Sequence, residues 1–192
     1  MSEERGFTRW LAGGQIILGW ALAEQGKHAE GLELVRTGLD AWRNQAKQGL
    51  PHLQAILAEV HMKIGEHEEA LRLLENCMSL VAQTDEHRYE AELCRLIGET
   101  LLALSRERPE FKNRESEVEQ HFLKAVQIAQ DQEAKCFELR AAVSLASYWE
   151  LKGNRRKTSK LLEDITSWFT AVSEGLDTED FQEATRLLSS VR

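Results

Sequence analysis

Proline is almost missing from this sequence of 192 residues, which contains only Pro51 and Pro109. Because proline breaks the interior of a helix, a chain with so few prolines can form long uninterrupted helices. Good helix formers such as Leu, Ala and Glu dominate the composition. β-Branched residues never form the alternating runs that are typical of β-hairpins. The composition therefore predicts an all-α fold, with Pro51 in the first turn of a helix, where proline is tolerated.

Positive charge is also scarce. The 24 basic residues are outnumbered by 32 acidic ones, which gives a net charge of −8. A phosphate backbone would repel such a chain, so we expect no nucleic-acid partner. The longest uncharged stretch, residues 10–23, is too short to span a membrane, and no signal-peptide pattern opens the sequence. We therefore expect no membrane partner and a cytoplasmic location.

Motifs for catalysis, metal binding or phosphate binding are lacking as well. The three cysteines, Cys77, Cys94 and Cys136, include no Cys-x-x-Cys pair, which favours buried thiols in a reducing compartment. His61 and His67 do not have the helical spacing of zinc ligands, and we expect His61 to lie in the core. No phosphate-binding loop and no nucleophile with a paired base are recognisable. The sequence therefore predicts no catalytic residue, no metal site, no cofactor, and a protein that is not an enzyme.

Four segments share one pattern: an apolar helix with a large and a small residue side by side, a break, and a second amphipathic helix. The breaks fall at Gly26, Gly65, Ser105 and Gly153, so the intervals from 26 to 65, 65 to 105 and 105 to 153 are 39, 40 and 48 residues. A glycine at a break can adopt the left-handed conformation that ends a helix. The third interval is longer because of residues 106–117, a charged segment that we predict to be a hairpin loop. The nearly regular spacing indicates a helical-repeat protein.

The repeats resemble the tetratricopeptide repeat (TPR), whose pattern contains a large residue, Leu-Gly, an aromatic residue, a break glycine, Ala, Phe and Ala. The matching positions are Leu18, Gly19 and Gly26; Leu57, Gly65 and Ala70; Ile97, Gly98, Phe122 and Ala125; and Leu145, Trp149 and Gly153. No unit matches every position. The resemblance implies a right-handed α-α superhelix, a TPR-like solenoid of about four helical hairpins, in which Gly19 and Gly98 let paired helices approach closely.

The alignment of the repeats also predicts boundaries. We expect an N-terminal tail over residues 1–8 and a repeat region over 9–176, with hairpins at about 9–48, 49–86, 87–132 and 133–172. Residues 177–180 form an acidic stretch that suits the first turn of a helix, and apolar residues follow at helical spacing. We therefore predict a C-terminal helix over residues 177–192 that caps the last hairpin.

Three stretches carry a more specific resemblance: residues 19–26, residues 89–103, and residues 167–184 with their Trp-Phe and Gly-x-Asp-Thr motifs. They resemble the C-terminal TPR tail of bacterial proteins that join a class III adenylate or guanylate cyclase, or a DNA-binding output domain, to an AAA-like regulatory ATPase. This chain departs from that tail by a short insertion at residues 171–174, and it has neither the ATPase nor the cyclase motifs. The resemblance implies a tail that senses a partner or a ligand and restrains the ATPase.

In a TPR protein the first helix of each hairpin lines a concave groove, and the alignment places twelve side chains there. They are Ile16, Trp20, Glu24, His52, Glu59, Lys63, Glu92, Arg95, Glu99, Arg140, Ser147 and Glu150. We expect Trp20 to be an aromatic anchor of the kind found in binding hot spots. The alternative is burial of Trp20 against an N-terminal helix containing Trp10. Grooves that bind a C-terminal carboxylate use Lys and Asn at the positions of Ile16 and Trp20, so that specificity is disfavoured.

These features predict a regulatory scaffold in bacterial signalling with a protein or peptide partner. Its groove would bind a peptide, a helix or a neighbouring domain. Two alternatives belong to other classes. A small-molecule sensor for a signalling ATPase or cyclase would hold its ligand in the groove, and an enzyme would need the motifs that are absent. The basic clusters at residues 106–114 and 154–157 are expected to be solvated surface. The sequence makes no prediction about the oligomeric state.

Overall fold

The computed structural model describes residues 2–44 and 48–191 and divides the chain into two compact units, Met1–Tyr89 and Glu90–Arg192. Residues 45–47, at the end of the first predicted hairpin, lie outside the described residues, as do Met1 of the predicted tail and Arg192 of the predicted cap. None of the described residues lies in a β-strand, and the prediction of an all-α fold is confirmed.

The first unit contains two helical hairpins. Helices α1 (Ser2–Glu24) and α2 (His28–Arg43) form one, α3 (Leu50–Lys63) and α4 (His67–Thr84) form the other, and a short 3₁₀ helix follows at His87–Tyr89. Both hairpin turns contain a glycine with a positive φ, +82° at Gly26 and +80° at Gly65, as the break positions predict. Pro51 lies in the first turn of α3, also as expected.

Glycines determine how closely α1 and α2 approach. A Cβ atom built on Gly19 would lie 2.7 Å from the carbonyl oxygen of Gly31, and one built on Gly38 would lie 2.7 Å from Cγ1 of Ile16. Both distances are shorter than real Cβ contacts, so any larger residue would force the helices apart. The packing role expected for Gly19 is therefore confirmed.

The second unit contains two further hairpins and a final helix. Its elements are α5 (Glu90–Glu107), a 3₁₀ helix (Pro109–Arg114), α6 (Glu115–Asp131), α7 (Lys135–Leu151), α8 (Arg155–Val172) and α9 (Glu179–Val191). Helix α5 packs on α6, and α7 packs on α8. Helix α9 packs on both α7 and α8, where Ala184, Leu187 and Leu188 join the hydrophobic core.

Two segments differ in detail from the expected boundaries. Helix α1 begins at Ser2, so residues 2–8 continue the first hairpin instead of forming a separate tail. No proline occurs between positions 2 and 8, so the sequence contains no residue that would stop the helix from starting there. The segment 106–117 is divided between the end of α5, the 3₁₀ helix and the start of α6.

The expected core positions are only partly as predicted. His61, Cys77 and Cys94 are buried, in agreement with the sequence. Cys136 is exposed, which corrects the expectation that all three thiols are buried. Cys136 lies in the first turn of α7, and the buried residues of that helix begin after it, at Glu138.

Candidate functional site

Four of the predicted groove residues of the first unit come together where α1 lies beside α3. Nε1 of Trp20 donates a hydrogen bond to Oε2 of Glu59 at 3.3 Å, and Nζ of Lys63 lies 2.9 Å from Oε1 of Glu24. Trp20 and Glu59 are half-buried, whereas the side chains of Lys63 and Glu24 are each 36% exposed. We call this polar and aromatic area, which joins two consecutive hairpins, the Trp20 surface.

The alternative environment considered for Trp20 is not observed. Trp10 and Trp20 belong to the same helix, α1, and Trp10 is 81% exposed. Because both lie on one rigid helix, Trp10 cannot cover Trp20. The indole of Trp20 is instead positioned by Glu59 of the next hairpin.

Ile16 does not line the Trp20 surface, which corrects its assignment. The side chain is completely buried and contacts Gly38 of α2. Ala12, Ile16, Gly19 and Ala23 follow one another at intervals of three or four residues, so they share one side of α1. That side packs on α2, and counting outward from the Leu-Gly pair placed Ile16 on the wrong side of the helix.

His52 lies seven residues before Glu59 on α3 and belongs to a separate feature. Its ring stacks on Tyr89 with the centroids 3.7 Å apart and the planes at 9°. The two rings line an open pocket of about 490 Å³, whose other walls are Gln48, Gly49, Pro51, Asp85, Glu86, His87 and Arg88. The backbone N–H of Gly49 donates a 2.8 Å hydrogen bond to Glu86, which ties the start of α3 to the segment after α4.

Four of the six predicted groove residues of the second unit, Glu92, Arg95, Glu99 and Arg140, form an ion network. Arg95 donates hydrogen bonds to both carboxylate oxygens of Glu92, at 2.9 and 2.7 Å, and one to Glu99 at 2.5 Å. Arg140 of α7 donates to Glu92 at 3.0 Å and to Asp180 of α9 at 3.3 Å. Glu92 and Arg95 are each only 8% exposed. Their assignment to an open groove is therefore corrected, because partners on α5 and α7 enclose them within the unit.

The network keeps its members ionised. Burial alone would raise the pKa of the Glu92 carboxyl, but the hydrogen bonds and charges of Arg95 and Arg140 outweigh it and hold that pKa below its ordinary value. Burial would likewise lower the pKa of Arg95, and Glu92 and Glu99 reverse the effect and raise it. Glu92 and Arg95 are the buried members of the network, so a rearrangement of the helices that separates them leaves a buried charge with fewer partners and is disfavoured.

Sequence reasoning missed two members of this network. Ser144 donates a 2.8 Å hydrogen bond to Glu99, and Asp180 was expected only as part of an acidic helix start. Ser144 could have been found, because it lies four residues after Arg140 and so on the same side of α7. Glu150 lies elsewhere on α7 and accepts a 2.9 Å hydrogen bond from Ser190 of α9, while Ser147 is half-buried outside the network.

Reactive or metal-binding groups are not assembled in the part of the chain that the structure describes. No group of His, Cys, Asp and Glu side chains there could hold a metal ion, and His61 shares a 2.6 Å hydrogen bond with Glu66. Burial raises the pKa of Cys77 to about 12 and that of Cys94 to about 11, so both thiols are protonated at neutral pH and react poorly. Among the same residues, no helix is long and apolar enough to cross a membrane.

Two segments of the first unit match a known family. Residues 12–37 and 51–76 fit the sequence profile of the tetratricopeptide repeat. These two segments are therefore similar to tetratricopeptide repeats. The matched segments include Trp20 and Glu24 in α1 and Glu59 and Lys63 in α3, so the Trp20 surface lies entirely within them. No curated protein matches the chain in sequence.

Solved structures share the fold at low sequence identity. The nearly identical TPR-like repeats of a Podosopora anserina protein described as a putative kinesin light chain match with a TM-score of 0.68 and 18% identity, over 96% of this chain and 85% of that one. BtubC (BKLC) from P. vanneervenii gives 0.70 and 16%, over 99% and 79%. A thermophilic TPR protein in Thermus thermophilus gives 0.59 and 20%, over 94% and 80%.

At these identities the similarity establishes the fold alone. The prediction of a TPR-like, all-α solenoid fold is confirmed by the two repeat matches and by the solved structures. Proteins of this fold generally serve as non-catalytic scaffolds that bind other proteins, through the extended surfaces that stacked repeats provide.

Proposed function

We propose that this chain is a protein-interaction module that binds a peptide, a helix or a neighbouring domain at the Trp20 surface. The observation that supports the proposal is the meeting of Trp20 and Glu24 on α1 with Glu59 and Lys63 on α3. Two consecutive TPR-type hairpins thus contribute to one surface that combines an aromatic ring with both signs of charge. Partner proteins commonly use such an aromatic residue as an anchor.

The state of the charges favours the first unit over the second as the binding site. Exposed ion pairs such as Lys63 with Glu24 contribute about 0–1 kcal/mol to stability. A charged group of a partner can therefore replace Lys63 or Glu24 in this pair at little cost. Arg95 and Glu92 are buried and already satisfied, and separating them would leave a buried charge. The predicted residues of the second unit therefore serve better as a rigid support than as a binding surface.

The regulatory role that we propose is inferred from a sequence resemblance. The stretches at residues 19–26, 89–103 and 167–184 are similar to the TPR tails of bacterial cyclases and transcriptional regulators with AAA-like ATPases. On that basis the module senses a partner in bacterial signalling and restrains an ATPase. The first of these stretches includes Trp20 and Glu24, so part of the proposed site falls within the resemblance.

Affinity capture from cell extract tests the proposal. The full chain is compared with Trp20→Ala and Lys63→Glu variants, and with Trp168→Ala as a matched control, because Trp168 is 41% exposed on α8 of the second unit. Circular dichroism must show unchanged helix content in all four proteins. We expect the parent and the control to retain a partner that both Trp20-surface variants lose. Equal retention by all four proteins contradicts the proposal.

A specific observation supports a second candidate function, sensing of a small molecule. The pocket beside His52 and Tyr89 has a volume of about 490 Å³, within the range of about 300–1,000 Å³ that is typical of ligand sites. Its stacked rings offer an aromatic wall, while Arg88, Asp85 and Glu86 offer both signs of charge. A ligand with a flat ring and a polar substituent suits these walls.

Thermal denaturation distinguishes this candidate from the first. A ligand of the pocket should raise the Tm of the full chain in proportion to the logarithm of its concentration. His52→Ala should abolish the shift, whereas Lys63→Glu on the Trp20 surface should leave it unchanged. A shift that survives His52→Ala would place the ligand elsewhere.

A further inference from the structure

Helix α1 exposes an apolar stripe on the side that faces away from α2. The stripe consists of Phe7, Trp10, Leu11, Ile17 and Leu18, which are 75%, 81%, 55%, 52% and 55% exposed. These values are unusual for large apolar side chains, and no other described helix carries so many of them together. Contiguous exposed apolar surface of this kind marks an interaction site.

The stripe follows the geometry of a helix–helix interface. Positions 7, 10, 14, 17 and 21 alternate intervals of three and four residues, as do the contact positions of paired helices. Leu11 and Leu18 widen the stripe along one edge.

The opposite side of α1 is used by its packing on α2. Trp20 lies between the two sides, whereas Glu24 lies seven residues after Ile17 and therefore on the same side as the end of the stripe. The stripe therefore borders the Trp20 surface at Glu24, but none of its five residues belongs to that surface, so Leu18→Glu and Lys63→Glu test the two proposals separately.

We propose that a second copy of this chain covers the stripe, with the two α1 helices antiparallel and related by a two-fold axis at Gly14. A Cβ atom built on Gly14 would meet nothing within 4 Å, so the glycine leaves a gap in the middle of the stripe. Large residues flank the gap on both sides, Trp10 and Leu11 before it and Ile17 and Leu18 after it. Close approach of two helices at glycine lets these flanking side chains interdigitate.

The antiparallel arrangement is self-complementary, as a two-fold interface must be. With the axis at Gly14, residue i faces residue 28 − i, so Leu11 faces Ile17, Trp10 faces Leu18, and Phe7 faces position 21, an alanine. Residues 10–23 contain no charge, and the pairing therefore brings no like charges together along this length. A partner with a charged face would leave those charges unpaired against the stripe.

The exposed area of the stripe is large enough for a reversible dimer. A complete aromatic side chain has a surface of about 150–250 Å². On this scale the exposed parts of the five stripe side chains, each more than half exposed, add up to roughly 500–600 Å² per copy. Two copies would bury roughly 1,000–1,200 Å² in total, which meets the threshold of about 1,000 Å² for a biological interface and falls in the size range of weak, reversible ones. Contacts next to α1 would add to this area.

Analytical ultracentrifugation of the full chain tests the proposal. We expect a species of twice the 21.9 kDa monomer mass, which Leu18→Glu converts to monomer by placing a charge in the stripe. Leu151→Glu is the matched control, because Leu151 is also exposed, at 62%, but belongs to α7 of the second unit, and this variant should remain dimeric. Monomeric parent protein, or a Leu18→Glu variant that stays dimeric, overturns the proposal.

Cysteine cross-linking tests the antiparallel geometry. In a Cys136→Ser background, which removes the exposed thiol, Gly14→Cys should form an intermolecular disulfide on mild oxidation, since both copies of position 14 lie at the axis. Phe7→Cys should not cross-link to itself, because a 14-residue offset separates its two copies by about 21 Å along the helices. Phe7→Cys mixed with Ala21→Cys should cross-link. Self-linking of Phe7→Cys would indicate parallel helices and refute the arrangement.

Discussion

Arg95 donates two hydrogen bonds to Glu92, one turn away on α5, and the side chains of this pair are 10% and 11% exposed. Arg72 and Glu69 on α4 form the same two-bond contact at 2.8 and 2.5 Å, with side chains that are 66% and 39% exposed. The two pairs have the same residue types and the same spacing. They differ in burial and in the further contacts of the buried pair with Glu99 and Arg140, so together they compare a buried, networked pair with an exposed one.

Replacing the arginine of each pair should give very different losses of stability. Arg95→Ala leaves the Glu92 carboxylate buried with fewer partners, and we expect it to lower the free energy of unfolding by about 3–5 kcal/mol. Arg72→Ala leaves a solvated carboxylate and should cost less than about 1 kcal/mol. Urea denaturation of both variants and the parent measures the difference. Similar losses for the two would show that the second-unit network is not buried as described.

The buried carboxylate also predicts a pH dependence. Because the pKa of Glu92 is lower in the folded chain than its ordinary value of 4.5, the folded state binds this proton less readily than the unfolded state. The stabilisation is complete above pH 4.5 and is lost as the pH falls through the folded-state pKa. Glu92→Gln should be less stable than the parent at neutral pH, and the difference should shrink below pH 4.5. A difference that stays constant down to about pH 3 would rule out this linkage.

The fold was largely predictable because its determinants are local in sequence. Gly26 and Gly65 end helices through their own backbone conformation, and Gly19 and Gly98 admit a close neighbour because they lack a side chain. These features can be predicted without knowing which helix packs against them. The 3₁₀ helix at Pro109–Arg114 was expected only as a loop, since a short connection has no periodicity to identify it.

The candidate site was predicted less well because its properties depend on distant partners. Arg95 and Glu92 have the sequence pattern of a solvated pair, and only Arg140, 48 residues from Glu92, and the surrounding helices make them buried. Ile16 was misplaced because the orientation of α1 depends on Gly38 of α2, which the repeat pattern does not include. Trp20 and Glu59 do meet across α1 and α3, since their spacing follows the repeat itself.

The contact between Gly98 and Phe122 predicts a compensating pair of substitutions. A Cβ atom on Gly98 would lie 2.6 Å from the Phe122 ring, so Gly98→Ala should lower the free energy of unfolding by about 1–3 kcal/mol through overpacking. Phe122→Leu removes the obstructing ring edge and should itself cost about 1–2 kcal/mol. The double variant should lose at least about 0.5 kcal/mol less than the sum of the single losses. Strict additivity in denaturant unfolding would mean that the alanine methyl does not meet the ring.

The three thiols should react in two distinct classes. Cys136 is exposed, whereas burial raises the pKa of Cys77 to about 12 and that of Cys94 to about 11. Since the thiolate is the reacting form and must also be accessible, a disulfide reagent at neutral pH should modify one thiol per native chain rapidly and all three after denaturation. Cys136→Ser should remove the rapid phase and leave the unfolding-limited phase unchanged. A rapid phase that persists in Cys136→Ser would require opening of α4 or α5 in the native state, which contradicts the tight packing around Cys77 and Cys94.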